Sequence, residues 1–169
     1  ADKNRNLSKG DEVITPAVTW STTVGPIIQN GLVPVFADVR LNTYDIDINS
    51  IKRSLSKKTK ALMIVHPLGH PCEMDKIVKL CEEENLILIE DTCESLGSKY
   101  DGSYLGSFGD FSSFSFYFSH HVSSIEGGVI CTDNDDYADA LRSMRANGWF
   151  REIRNESNIN KIIADNPHL

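Results

Sequence analysis

The stretch ALMIVHPLGHPCEMDKIVKLCEEENLILIE, residues 61–90, decides the fold. Its first six residues are a continuous apolar run of the kind found in strands covered on both faces. Residues 74–84 follow a helical period that puts Met74, Ile77, Val78 and Cys81 on one side. Residues 86–90, LILIE, are again a buried strand. Strand, helix and strand in that order predict neighbouring parallel strands joined by a crossover helix. The same grammar extends upstream. Gly10 reads as a turn closing a helix, and DEVITPAV (11–18) leads into a short buried strand. Residues 22–30 read as a short helix stopped by Gly31, provided that Pro26 lies in its first turn. Residues 34–39 are the next strand, and a helix capped by Asn49 or Ser50 runs to Leu55. From residue 98 the pattern changes. Residues 100–103 read as the tight turn of a small hairpin, FSSFSFY (111–117) as a strand with two unlike faces, and residues 127–133 as another strand. Residues 134–148 carry an Asn or Asp cap, a helical apolar period and a terminal Gly148, and the polar stretch after Trp149 reads as a loop. The expected architecture is α/β, a mostly parallel mixed sheet with flanking helices.

Composition narrows the partners. The chain has 169 residues, of which 40% are apolar, enough for a hydrophobic core without disulfide or metal staples. Its formal charge of −7 gives no field for nucleic acid or an anionic membrane, so a small-molecule partner fits better. No run approaches the roughly 18 apolar residues that suggest a bilayer span. Cys72, Cys81, Cys93 and Cys131 lie in four different segments without a CxxC pair, which suits reduced thiols and a cytoplasmic location. The start at Ala1 and the finish at NPHL suggest a piece of a longer protein. Residues 1–150 would then be one partial domain, and residues 151–169 a polar segment leading to an absent C-terminal part.

No GxGxxG follows the first strand and no GxxxxGK[ST] occurs, so nucleotide-binding loops lose their main support. GSFGD (106–110) reads as turn chemistry. In LILIEDTCES (86–95), Glu90 and Asp91 end an apolar strand, where ligands bind in open α/β sheets. A carboxylate there needs donors or a cation. Position alone leaves two readings of Asp91: partner to a cation such as a protonated ring nitrogen, or cap for the following turn. SFSFYFSHHVSSIEGG (113–128) carries His120 and His121, which could form a metal half-site with His66 and His70. Adjacent residues rarely point the same way, and Pro67 and Gly69 break the helical register of a two-His ligand pair, so no metal site is expected.

Five motifs occur in a fixed order: GDEVITPAVTWSTT, PVFADV, IEDTCES, the SFYFSHH loop with its IEGG, and RANGW. From about Lys9 to Trp149 the chain resembles the DegT-like sugar aminotransferases, fold-type I enzymes dependent on pyridoxal phosphate. In that family a lysine six residues before the Glu of Glu-Gly-Gly holds the cofactor covalently. Counting back six from Glu126 gives His120, and no Lys occurs from 100 to 160. The resemblance therefore implies an unanchored cofactor, pyridoxamine phosphate, with His120 as proton carrier. A histidine pKa of about 6.5, against about 10.4 for lysine, supplies a neutral base near pH 7. This exchange marks the family's sugar 3-dehydratase branch. The iron–sulfur type of that branch has a cysteine-rich stretch after the helix following this loop. RANGWFREIRNESNIN contains no Cys, so no iron–sulfur cluster is expected.

By the same resemblance, Asp91 would pair with the pyridine nitrogen, and Trp20, ending the strand TPAVTW, would lie against the ring. Ser115 would donate to the phosphate, and Glu94 would sit near the ring hydroxyl. Glu126, Gly127 and Gly128 would shape the loop, and His121 would be structural. The implied reaction removes the C3 hydroxyl of a 4-keto-6-deoxy hexose nucleotide, GDP-4-keto-6-deoxymannose, in deoxysugar synthesis for lipopolysaccharide O-antigen. Glutamate would restore the amine of the cofactor, and the full-length protein would be a homodimer. The family's main phosphate loop and small C-terminal domain have no counterpart here. The alternatives are an ordinary sugar-nucleotide aminotransferase, disfavoured by the missing Lys, and an inactive fragment or binding module.

Overall fold

Burial runs nearly unbroken along the central strands, so side chains that point in turn to opposite faces are covered on both. The computed structural model describes residues 6–165. Its strands are β1 (Glu12–Pro16), β2 (Val33–Ala37), β3 (Thr59–Val65), β4 (Ile87–Asp91), the hairpin strands β5 (Lys99–Tyr100) and β6 (Ser103–Tyr104), β7 (Phe111–Ser115) and β8 (Gly128–Cys131). The helices are α1 (Ser21–Gln29), α2 (Ile48–Ser54), α3 (Met74–Glu83), α4 (Asp135–Arg145) and α5 (Glu156–Asp165). Six strands form one sheet in the order β2-β1-β3-β4-β7-β8. All pairs from β2 to β7 are parallel. The expected α/β architecture is the observed one.

On one face, Ile14, Leu62, Ile64 and Leu88 pack with Met74, Ile77, Leu80 and Cys81 of α3 and Ile51 of α2. On the other, Val13, Ala61 and Ile87 pack with Ile27 of α1. Helices thus cover both faces, which is why residues 61–64 and 86–88 could be uniformly apolar. The buried stripe of α3 uses Leu80 in place of the expected Val78, which is only partly buried. Register aligns Val65 with Asp91 and Asp91 with Ser113, so β3, β4 and β7 present their C-terminal ends at one edge.

Several boundaries differ from expectation. Pro26 lies in the interior of α1, not its first turn; the buried Thr23 and Ile27 anchor this short helix despite the lost hydrogen bond. β1 stops at Pro16, and Trp20 is the N-cap residue of α1 instead of a strand end. β7 ends at Ser115, where the chain leaves the ladder. The helix expected before Gly10 falls largely outside the described residues, and residues 6–8 are not helical.

The chain divides into two units, one through Ile130 and one from Cys131. In the second, the stretch read as loop contains α5. Its start is organised by Asp139 of α4, a buried carboxylate accepting from the amides of Arg154 and Asn155, each at 2.9 Å, from Arg142 at 2.7 Å and from Asn158. The Arg154 amide leads in holding that carboxyl down to about 2, with burial opposing it. No helix among the described residues is long and apolar enough to cross a membrane.

Candidate active site

Parallel strands bring their following loops to one side, so residues far apart in sequence converge beyond β1, β3, β4 and β7. Asp91 closes β4. Its Oδ2 accepts from the hydroxyl of Thr23 in the first turn of α1 at 2.8 Å, and its Oδ1 accepts from the amide of Cys93 at 3.2 Å. The capping contact is therefore real, and it uses only one oxygen. Thr23 is buried, so the carboxylate is aimed from the α1 side of the sheet. Burial and the neighbouring Asp91 push the Cys93 thiol up to about 12, which removes it as a nucleophile.

Trp20 is 75% exposed and so not a core aromatic; its indole stands at the mouth of α1. Glu94 is exposed and accepts from the amide of Leu68 at 3.2 Å. Leu68 has φ 53°, a left-handed conformation that is uncommon for leucine. Glu94 thus ties the loop after β3 to the loop after β4. Ser115 ends β7, and its Oγ accepts from the Tyr117 amide at 3.1 Å, leaving the hydroxyl hydrogen for another acceptor.

His120 lies in a loop closed at its base by two backbone bonds, Phe116 N–H to Gly127 O at 2.8 Å and Ser124 N–H to Phe116 O at 2.9 Å. A turn from Tyr117 O to the His120 amide sets the ring edge-on to Tyr117, with centroids 5.8 Å apart. The His120 Nδ1 is buried and has no hydrogen-bond partner. Buried polar atoms are rarely left unpaired, and exceptions concentrate where function demands them. His121 is exposed. The two glycines shape the loop: Gly127 has φ 140°, and a Cβ on Gly128 would meet the Phe114 carbonyl at 2.7 Å.

Sequence reasoning missed one constellation. Glu90 and His66 are fully buried, with His66 Nε2 at 3.1 Å from Glu90 Oε2. Glu90 also accepts from the amides of Gly106, Phe108 and Gly109, each at 2.8 Å. The GSFGD turn is therefore an anion cradle filled by the chain's own carboxylate. Burial would raise the Glu90 pKa, but the His66 ring and the three amides outweigh it and hold the carboxyl below its ordinary value. The available signal was an acid ending an apolar strand together with a Gly-rich turn downstream. The four histidines do not converge, and no group of three or more metal-ligating side chains occurs among the described residues.

Residues 3–166 match the DegT/DnrJ/EryC1/StrS aminotransferase family. The chain is 40% identical over 163 residues to GDP-4-keto-6-deoxy-D-mannose 3-dehydratase of Escherichia coli O55:H7, covering 96% of this chain and 42% of that protein. It is 44% identical over 146 residues to dTDP-4-dehydro-2,6-dideoxy-D-glucose 3-dehydratase of Saccharopolyspora spinosa, covering 86% and 31%. The solved structure of the E. coli GDP-4-keto-6-deoxy-D-mannose 3-dehydratase with bound hydrated pyridoxal phosphate superposes with a TM-score of 0.85 at 43% identity, covering 91% of this chain and 39% of that one. The chain spans less than half the length of these relatives.

Proposed function

Because the chain belongs to the DegT/DnrJ/EryC1/StrS aminotransferase family, we propose that it carries the cofactor-ring side of a pyridoxamine phosphate-dependent sugar-nucleotide 3-dehydratase. The substrate is a 4-keto-6-deoxy hexose nucleotide, with GDP-4-keto-6-deoxymannose the first to test, and glutamate is the amino donor. The observation that carries the reading is His120, standing where the family resemblance calls for lysine, with a buried and unpaired Nδ1.

The residues present fit the cofactor. Asp91 is held by two neutral donors, which orient its carboxylate to meet a ring N–H. Trp20 offers an exposed indole face, and Ser115 a hydroxyl hydrogen for a phosphate oxygen. Glu94 uses one oxygen on Leu68 and leaves the other for the ring hydroxyl. When bound, the cofactor supplies an amine to combine with the sugar ketone and a ring that takes up electrons.

The chain's part is to hold that ring cationic through Asp91 and to move one proton through His120. An imidazole takes up a proton near pH 7 and can return it to a departing hydroxyl oxygen, so one side chain serves as base and then acid. It cannot hold the cofactor covalently as a lysine amine would, which disfavours ordinary transamination. A homodimeric full-length protein in the cytoplasm, supplying deoxysugars for O-antigen, accords with this reading. The second reading, a fragment without activity of its own, is favoured by the coverage of the relatives, 42% at most among those compared.

Incubating the protein with pyridoxamine phosphate, GDP-4-keto-6-deoxymannose and glutamate should release a 3-deoxy sugar nucleotide. Borohydride should fail to fix pyridoxal phosphate to the protein. A lysine adduct after reduction overturns the His120 argument, and absence of cofactor binding supports the fragment reading.

A further inference from the structure

We propose that His66 and Glu90 are a positioning pair that sets the Asp91 carboxylate, an inference that rests on the proposed cofactor role of Asp91. Alternation along β4 turns Glu90 toward the face of α2 and α3, with Leu88, and Asp91 toward the face of α1, where Thr23 meets it. Glu90 is thus one residue from the site and has no access to it. Its four donors fill both oxygens: Oε2 takes His66 and Gly106, and Oε1 takes Phe108 and Gly109.

His66 is fixed in turn. Its Nδ1 accepts from the Cys72 amide at 3.2 Å, which leaves the ring proton on Nε2, directed at Glu90. Its own amide donates to the Asp91 carbonyl at 3.2 Å. One residue therefore grips the β4 terminus twice, at the Asp91 backbone and at the Glu90 side chain. The third grip is the cradle, since residues 106–109 lead directly into β7, the strand that ends at Ser115. Three amides converge on a fully buried carboxylate, and its two oxygens accept from all of them. The pair ties the ends of β3 and β4 to the start of β7, three of the segments from which the site is built.

The test separates the two ring nitrogens. In His66→Gln the amide can still donate to Glu90, whereas in His66→Asn the shorter side chain keeps an acceptor for Cys72 and loses the Glu90 contact. Pyridoxamine phosphate is titrated into wild type, both His66 variants and Glu90→Gln, following its absorbance band. His66→Asn and Glu90→Gln should weaken binding by about tenfold or more and shift the band, as expected for a displaced ring-nitrogen partner. His66→Gln should rescue both. The amide proton of Cys93, which donates to Asp91 Oδ1, gives a readout without cofactor: by NMR its shift should move in His66→Asn and Glu90→Gln and return in His66→Gln. The proposal is overturned if the Cys93 amide is unmoved in His66→Asn and Glu90→Gln, or if both His66 variants move it alike. A wild type that binds no cofactor overturns the cofactor reading alone, because the Cys93 amide still decides the positioning pair.

Discussion

At the scale of single residues, the position of His120 and the setting of Asp91 carry the proposed chemistry. His120→Lys places an amine where the family resemblance puts one, so borohydride should then trap pyridoxal phosphate as a mass adduct on residue 120 while formation of the 3-deoxy product falls. His120→Asn removes the proton carrier without adding an amine, and turnover should drop by about 10²–10⁴-fold, the range for losing a general acid–base group. Retained turnover in His120→Asn would remove His120 from the mechanism. Asp91 and His120 were legible in the sequence because each lies inside a contiguous motif, IEDTCES and SFYFSHH with IEGG. His66 and Glu90 were not, because they are 24 residues apart and meet only through the β3–β4 register. No local pattern records that register, and His66 read as the last residue of an apolar strand run or as part of a metal half-site.

Among the elements, α5 shows most clearly what sequence pattern could not supply. Its three isoleucines, Ile159, Ile162 and Ile163, are few, and its start depends on Asp139 lying 15 and 16 residues upstream of the amides it accepts. The strands of the sheet were legible because burial on both faces writes itself as an unbroken apolar run, whereas a helix organised by a distant carboxylate writes nothing locally. A folded-state pKa of about 2 lies below that of an unfolded aspartate, about 3.9. The sign follows from linkage: the Asp139 contribution is complete above the unfolded value and is lost as pH falls from about 4 toward about 2. The helical circular dichroism signal should therefore decline over that window in wild type. Asp139→Asn, which keeps one acceptor oxygen and turns the other into a donor facing a backbone amide, should melt at lower temperature at pH 7 and show a smaller change between pH 4 and 2. An unchanged acid profile in Asp139→Asn would assign the transition to other carboxylates.

For the whole molecule, the margins of the sheet bear on association. β2 is an outer strand, and its short length and Pro34, which has no N–H to donate, blunt it against pairing with another strand. Its side chains are not equally protected: Phe36 is 53% exposed and Val33 44%, with Ile28 of α1 at 60%. At the opposite margin Val129 and Ile130 of β8 are also exposed. Large apolar side chains left at both margins favour contact through faces over edge-to-edge strand addition. Such contact is driven by apolar burial, so it should persist in salt, whereas the net charge of −7 opposes self-association most at low ionic strength. Sedimentation velocity should therefore show concentration-dependent dimers or larger species, increasing from low to moderate salt. Phe36→Lys together with Ile130→Lys should shift the distribution toward monomer with the far-ultraviolet spectrum retained. A monomer at every concentration and salt would instead mean that these exposed side chains are tolerated singly and do not form a contact surface.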